Sequence, residues 1–115
     1  MTYANATALT VKQIPQAGKD ISTLQSPDGT NGNKFAANPK TLLRVKNTGT
    51  QKTLTIETPS TVKGLAIADA TFVIPATTGD VLVPMLPEYF QPGTQEVYVS
   101  FDSVTAVTVD VYQPA

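Results

Sequence analysis

The sequence predicts an all-β domain, a compact eight-stranded antiparallel sandwich, and three observations carry that expectation. Apolar and polar residues alternate over several short runs, the mark of strands with one buried face. Clusters of Gly, Pro, Asn and Asp separate those runs about every 8–12 residues. No stretch shows the apolar period or the length of a convincing helix. A chain of 115 residues holds one core and is too small for two, so residues 1–115 read as one domain. Residues 1–5, ahead of the first strand, would form a contact arm that Tyr3 could anchor.

The clearest stretch runs from Lys40 to Thr58. Leu43 and Val45 share one face with Arg44 and Lys46 on the other, and Leu54 and Ile56 repeat the pattern against Thr53, Thr55 and Glu57. Asn47-Thr48-Gly49-Thr50 lies between them, which predicts a β-hairpin. Leu42 breaks the pattern by placing a large apolar side chain outward.

In chain order, residues 6–13 read as a first strand with Leu9 and Val11 inward, and Pro15 and Gly18 mark a turn. Asp20 to Gln25 is a weak strand, because Ile21 and Leu24 are out of phase. Ser26 to Lys34 packs Pro, Asp-Gly and Asn-Gly together and reads as an exposed loop, after which Phe35 enters the core. Pro59 stops the second hairpin strand. Leu65-Ala66-Ile67-Ala68 reads as one helical turn or a loop packed under a sheet edge. Thr71 to Ile74 is β-prone, Ala76 to Asp80 is a turn, and Val81 and Val83 lie in a strand that Pro84 ends or confines to an edge. Gln95 to Phe101 alternates well, as do Val107, Val109 and Val111 against Thr108, Asp110 and Tyr112. Eight short strands in one small domain suit a jelly roll, with an immunoglobulin-like sandwich as the alternative.

Composition narrows the chemistry. Charged residues make up 15%, well under the usual ~25%, so much of the exterior is Thr, Ser, Gln and small apolar side chains. Such a surface suits a protein that neighbours will cover. The chain has no Cys, so thiolate metal sites and disulfides are excluded, and no His, the commonest general base. No basic segment followed by an apolar run opens the chain, and no run reaches the roughly 18 apolar residues of a membrane span. The expectation is synthesis in a cytoplasm with no membrane partner. All eight Lys and Arg lie between Lys12 and Lys63, beside three acids, whereas six acids and no Lys or Arg follow Gly64. Either the two halves pair their charges within the domain, or a positive face of one copy meets a negative face of the next. One arginine and no basic cluster disfavour nucleic acid.

No catalytic, metal or cofactor constellation emerges. Ser60-Thr61-Val62-Lys63 has a serine–lysine spacing, but Pro59 and the β-branched neighbours oppose the helix that chemistry needs. Asp28 to Asn33 offers one carboxylate, with Thr30 and Gly32 where a calcium loop requires side-chain oxygens. Two carboxylates about 5–10 Å apart would serve a glycosidase, but no acid is flanked by aromatics that would stack a sugar. Pro84-x-x-Pro87 reads as a rigid crossing. Met85, Leu86, Tyr89 and Phe90 crowd one Pro-bracketed loop that either caps the sandwich or contacts a partner.

Taken together, the segments LLRVKNTGTQKTLTIETPST, GLAIAD, FVIPATTGDVLVP and VYVSFDSVTAVTVDVY resemble the capsid decoration, or cement, proteins of tailed bacteriophages. The likeness covers about Asn38 to Tyr112. It implies a non-enzymatic jelly-roll protein, a homotrimer with no small-molecule substrate, that docks on the outside of the mature head against the major capsid protein. Head–tail neck and tail roles stay open beside it, as does a carbohydrate-binding module using Tyr98 and Tyr112. The candidate partner contacts are Tyr3, Leu42, Arg44, Lys46, Met85, Leu86, Tyr89 and Phe90.

Overall fold

The best alternating runs turn their apolar set inward, as a half-buried strand must. Leu43, Val45, Leu54, Ile56, Val97, Val99, Val109 and Val111 are all essentially inaccessible to solvent. The computed structural model describes residues 5–18, 24–59, 61–62, 65–66, 68–91 and 93–114. Its strands are β1 (Thr7–Ala8), β2 (Val11–Ile14), β3 (Asn33–Ala36), β4 (Leu42–Asn47), β5 (Lys52–Ile56), β6 (Thr61–Val62), β7 (Leu65–Ala66), β8 (Ala70–Ile74), β9 (Gly79–Pro84), β10 (Glu96–Phe101) and β11 (Val107–Pro114). A 3₁₀ turn spans Pro87–Tyr89.

Two sheets enclose the core. One has five strands in the order β1-β3-β10-β5-β8, the other four in the order β2-β11-β4-β9, and β6 and β7 form a separate small ribbon. The main pairings are nested: β5 with β8, β4 with β9, β3 with β10 and β2 with β11. The chain changes sheet at nearly every connection, so both sheets are assembled mostly from residues distant in sequence.

Two expectations need correction. The sheets are mixed, not purely antiparallel, and they hold nine strands: the single predicted strand over residues 6–13 is two, and Asn33–Ala36 forms a strand where a loop and a core residue were expected. β1 runs parallel to β3 in one sheet, and β2 runs parallel to β11 in the other. Between them Leu9 is buried, and the Gln25 amide takes over the pairing of Thr10, accepting from its N–H and donating to its C=O at 2.8 Å each.

The second correction concerns the hairpin. β4 and β5 lie in different sheets, joined by an arch over residues 48–51 that carries the chain across the core. Asn47, with no exposed surface, holds the arch from inside. Its Nδ2 donates to Thr50 O (2.7 Å) and Pro75 O (3.1 Å), and its Oδ1 accepts from Gly49 N (3.0 Å). Lys52 is buried along its stem while its ammonium donates to Thr50 O and Thr50 Oγ1 at 2.8 and 2.9 Å. Leu43 and Val45 therefore face Leu54 and Ile56 across the core rather than lying beside them. Alternation alone suits both arrangements, because it states which face is buried and not which strand is the neighbour.

The remaining elements follow with smaller shifts. The predicted loop over Ser26 to Lys34 ends earlier, since Asn33 and Lys34 already belong to β3 with Phe35 in the core. Of Asp20 to Gln25, residues 19–23 lie outside the described residues, and Gln25 forms an isolated antiparallel bridge to Val109. Leu65 and Ala66 form β7 of the small ribbon, with Leu65 exposed, and Ile67 lies outside the described residues. The turn into β9 needs a glycine: a Cβ at Gly79 would stand 2.2 Å from Pro75 O.

The arch yields a direct expectation. Asn47→Ala removes three hydrogen bonds that hold the arch, to Thr50 O, Pro75 O and Gly49 N, and should destabilise the fold by about 2–4 kcal/mol in urea unfolding. A loss within experimental error would show that the arch does not depend on this side chain.

Candidate interaction surface

Register places one set of side chains on the outer face of the four-stranded sheet. β4 contributes Leu42, Arg44 and Lys46, opposite Tyr112, Asp110 and Thr108 of β11 on one side and Pro84, Leu82 and Asp80 of β9 on the other. Lys12 and Ile14 of β2 extend the face beyond β11. Ile14, Leu42, Arg44, Asp80, Leu82 and Tyr112 line a hollow of about 410 Å³ whose walls are mostly carbon. Leu82 stands 56% exposed at its rim.

Four charged groups of this face, Lys12, Arg44, Asp80 and Asp110, are engaged in ion pairs, while Lys46 stands exposed opposite Asp80. Arg44 grips Asp80 in a two-pronged contact, Nε to Oδ1 at 2.9 Å and Nη2 to Oδ2 at 2.8 Å, while Nη1 reaches Tyr112 OH at 3.4 Å. Those hydrogen bonds hold the Asp80 carboxyl below the usual carboxylate range and raise Arg44 above its ordinary value. The pair is partly exposed, so it contributes no more than about 1 kcal/mol. Asp110 is completely buried although its strand position points outward. It accepts from Lys12 Nζ (2.5 Å), Gln25 Nε2 (2.8 Å) and the Val111 N–H (3.1 Å), which satisfies a charge that would otherwise be costly to bury. Lys34 and Glu96 make a looser pair at 4.0 Å between β3 and β10.

All three ion pairs among the described residues join a base from the first half of the chain to an acid from the second. The charge asymmetry of the sequence therefore resolves, for these residues, as pairing within the domain.

The apolar loop after β9 divides. Met85 and Tyr89 are buried and close the end of the core, so as candidate contacts they are corrected to core residues. Burial also pushes the Tyr89 phenol up from its ordinary pKa. Phe90 is half-buried against the same cluster, and only Leu86 among the four stands exposed. Pro84 ends β9 and Pro87 opens the 3₁₀ turn, which makes the segment a stiff crossing. Tyr3, Ser60 and Lys63 lie outside the described residues or have side chains that do. Tyr98 and Tyr112 are on different sheets, half-buried and buried respectively, and cannot form one sugar platform. Ile14, Asp80, Leu82 and Tyr112 join Leu42 and Arg44 in the hollow, and the sequence signal for Leu82 was its outward phase between Val81 and Val83.

Asp28 has a structural task. Its carboxylate accepts from Thr7 Oγ1 (2.6 Å), Thr30 N (2.8 Å) and Asn31 N (3.0 Å), tying β1 to the turn before β3. These hydrogen bonds lower its pKa from 3.8 to about 2. A depressed folded-state pKa contributes stability above the unfolded value and loses it as pH falls through the folded one. The stability advantage of the wild type over Asp28→Asn should be full near neutral pH, begin to fade near 3.8 and be gone below about 2. Urea midpoints measured across that range check it, and an advantage that persists below the lower value contradicts it. For the loop, Tyr89→Ser should cost about 3–5 kcal/mol, whereas Leu86→Ser should change stability by about 0.5 kcal/mol or less. Equal effects of the two in thermal unfolding would contradict the division.

Compared with known protein families, curated proteins and solved structures, the chain matches none, so the geometry of this surface carries the functional reading.

Proposed function

We propose that the chain is a non-enzymatic structural protein of a phage virion, a cement protein that docks on the outside of the head and stabilises the mature shell. The observation that carries this reading is the outer face of the four-stranded sheet: an apolar-walled hollow whose charges are tied to one another, set on a stiff β scaffold. Such a surface offers area and shape to a protein partner. The nested antiparallel pairs β3 with β10, β4 with β9 and β5 with β8 support a jelly-roll reading of the fold, since a folded-back ribbon rolled into two sheets has that order, while β2 departs from it by running parallel to β11. The resemblance of Asn38 to Tyr112 to cement proteins points the same way.

The role needs only differential binding. A molecule that binds a closed lattice of the major capsid protein better than its loose subunits stabilises the lattice by mass action. Many copies on one particle multiply the effect through avidity. The separation of Tyr98 from Tyr112 weighs against the carbohydrate-binding alternative.

Antibody against the chain should label the head surface of purified virions in electron microscopy, and virions lacking the chain should release their DNA at a lower temperature. Absence of the chain from purified virions, or label confined to the neck or tail, would overturn the cement role.

A further inference from the structure

A strand that ends a sheet leaves one row of main-chain groups without a ladder partner. In the four-stranded sheet β9 is such an edge, and the hydrogen bonds around it settle which residues face outward. Met85 N donates to Thr41 O at 3.2 Å, and Thr48 N donates to Ala106 O at 3.1 Å. A central antiparallel strand alternates its two partners residue by residue. The odd residues of β4 therefore bond β9 and the even ones bond β11. In the register Leu43 to Val83 and Val45 to Val81, those two valines bond β4, and Asp80, Leu82 and Pro84 turn their main-chain groups to the open side. Among the described residues no loop takes up the N–H of Asp80 or Leu82.

The other sheet ends on the same side of the molecule, where β8 leads into β9. Glu57 N to Tyr98 O at 2.9 Å and Asp102 N to Thr53 O at 3.2 Å assign the odd residues of β5 to β10. β8 then uses Ala70, Phe72 and Ile74 on β5, leaving Thr71 and Val73 open. Among the described residues, Val73 at 61% and Leu82 at 56% are two of the four exposed large apolar side chains, and they sit on these two edges. At Leu82 an open N–H, an open C=O and an exposed leucine coincide.

We propose that β9 pairs antiparallel with β9 of a second copy about a two-fold axis at Leu82. Among two-fold registers centred on a residue with open main-chain groups, the sequence of the edge favours this one. With Leu82 facing Leu82, each donates to the other's carbonyl, and Asp80 faces Pro84 of the second copy and donates to its carbonyl. Pro84 has no N–H, and here that gap falls at the ends of the ladder, where water replaces it. Centring on Asp80 would set two carboxylates face to face, and centring on Pro84 would put two residues without an N–H at the middle. In the Leu82 register each Asp80 stays with its own Arg44, so no bare like charges meet. The two leucines lie side by side on the outer face, and the hollow beside each gains the other as a further wall. Two four-stranded sheets become one continuous sheet, both β9 edges are consumed, and a closed pair results rather than a filament.

The pairing is independent of the cement role, whose resemblance implies a trimer, and the mass of the isolated chain decides between two and three copies. Light scattering over a range of concentrations should give a limiting mass of twice 12.2 kDa. Leu82→Pro removes an N–H that bonds nothing in β4, so the fold should survive with its melting temperature nearly unchanged while the mass falls to one chain. Val81→Pro removes a ladder bond to β4 and should unfold the domain instead. Leu82→Lys keeps the N–H but sets two ammonium groups across the axis, and it too should give single chains. A wild-type mass of one or three chains overturns the proposal, as does a pair that survives both Leu82 variants. Unfolding by Leu82→Pro would place that N–H inside the ladder and overturn it equally.

Discussion

The crossing held by Asn47 is the constraint on which the rest of the structure depends. It sends β4 to one sheet and β5 to the other, although only four residues separate them. Once these two central strands face each other across the core, β9 and β11 must flank β4, and β8 and β10 must flank β5. A tight hairpin at the same place would have put Leu43, Val45, Leu54 and Ile56 in one sheet and left the core without its second wall. The arch replaces ladder hydrogen bonds with those of one buried amide, and the neighbouring turns lock onto it, Thr77 N reaching Gly49 O at 2.8 Å and Thr48 N reaching Ala106 O at 3.1 Å.

The outer surfaces inherit their character from this winding. Because β4 lies between β9 and β11, Arg44 finds Asp80 on one side and Tyr112 on the other, and the basic early half meets the acidic late half inside one domain. On the outer face of the four-stranded sheet two ion pairs take up Lys12, Arg44, Asp80 and Asp110, which leaves shape, apolar contact and the open strand edge as its main means of recognition. Those features concentrate on β9 and the hollow beside it.

Much of the fold was legible in the sequence, and the losses share one physical cause. Alternation identified the inward sets of β4, β5, β10 and β11, because a half-buried strand writes its environment into every second position, although in β11 the outer-face Asp110 and Tyr112 are buried as well. Proline placement was equally readable, Pro84 falling at the end of an edge strand. Partnership was not readable, because nothing local distinguishes Val45 beside Val109 from Val45 beside Leu54. β3 hid behind the turn residues ahead of it, since Asn33 is polar yet fully buried, with its amide spent on Thr7 O and Asp28 N. The split of residues 7–14 was invisible for the same reason, its cause being the amide of Gln25 beyond an intervening turn. Of the hollow, Leu42 stood out as a break in the alternation and Arg44 as an outward residue of the same run. Ile14, Leu82 and Tyr112 joined them only because three long-range pairings bring β2, β11, β4 and β9 together.

Backbone NOEs test the central claim most directly. In an antiparallel register with β11 and β9, Val45 should show main-chain contacts to Val109 on one side and Val81 on the other, and Leu54 to Phe72 and Phe101. Cross-strand main-chain contacts between β4 and β5, such as Val45 with Leu54, would restore the hairpin and contradict the account.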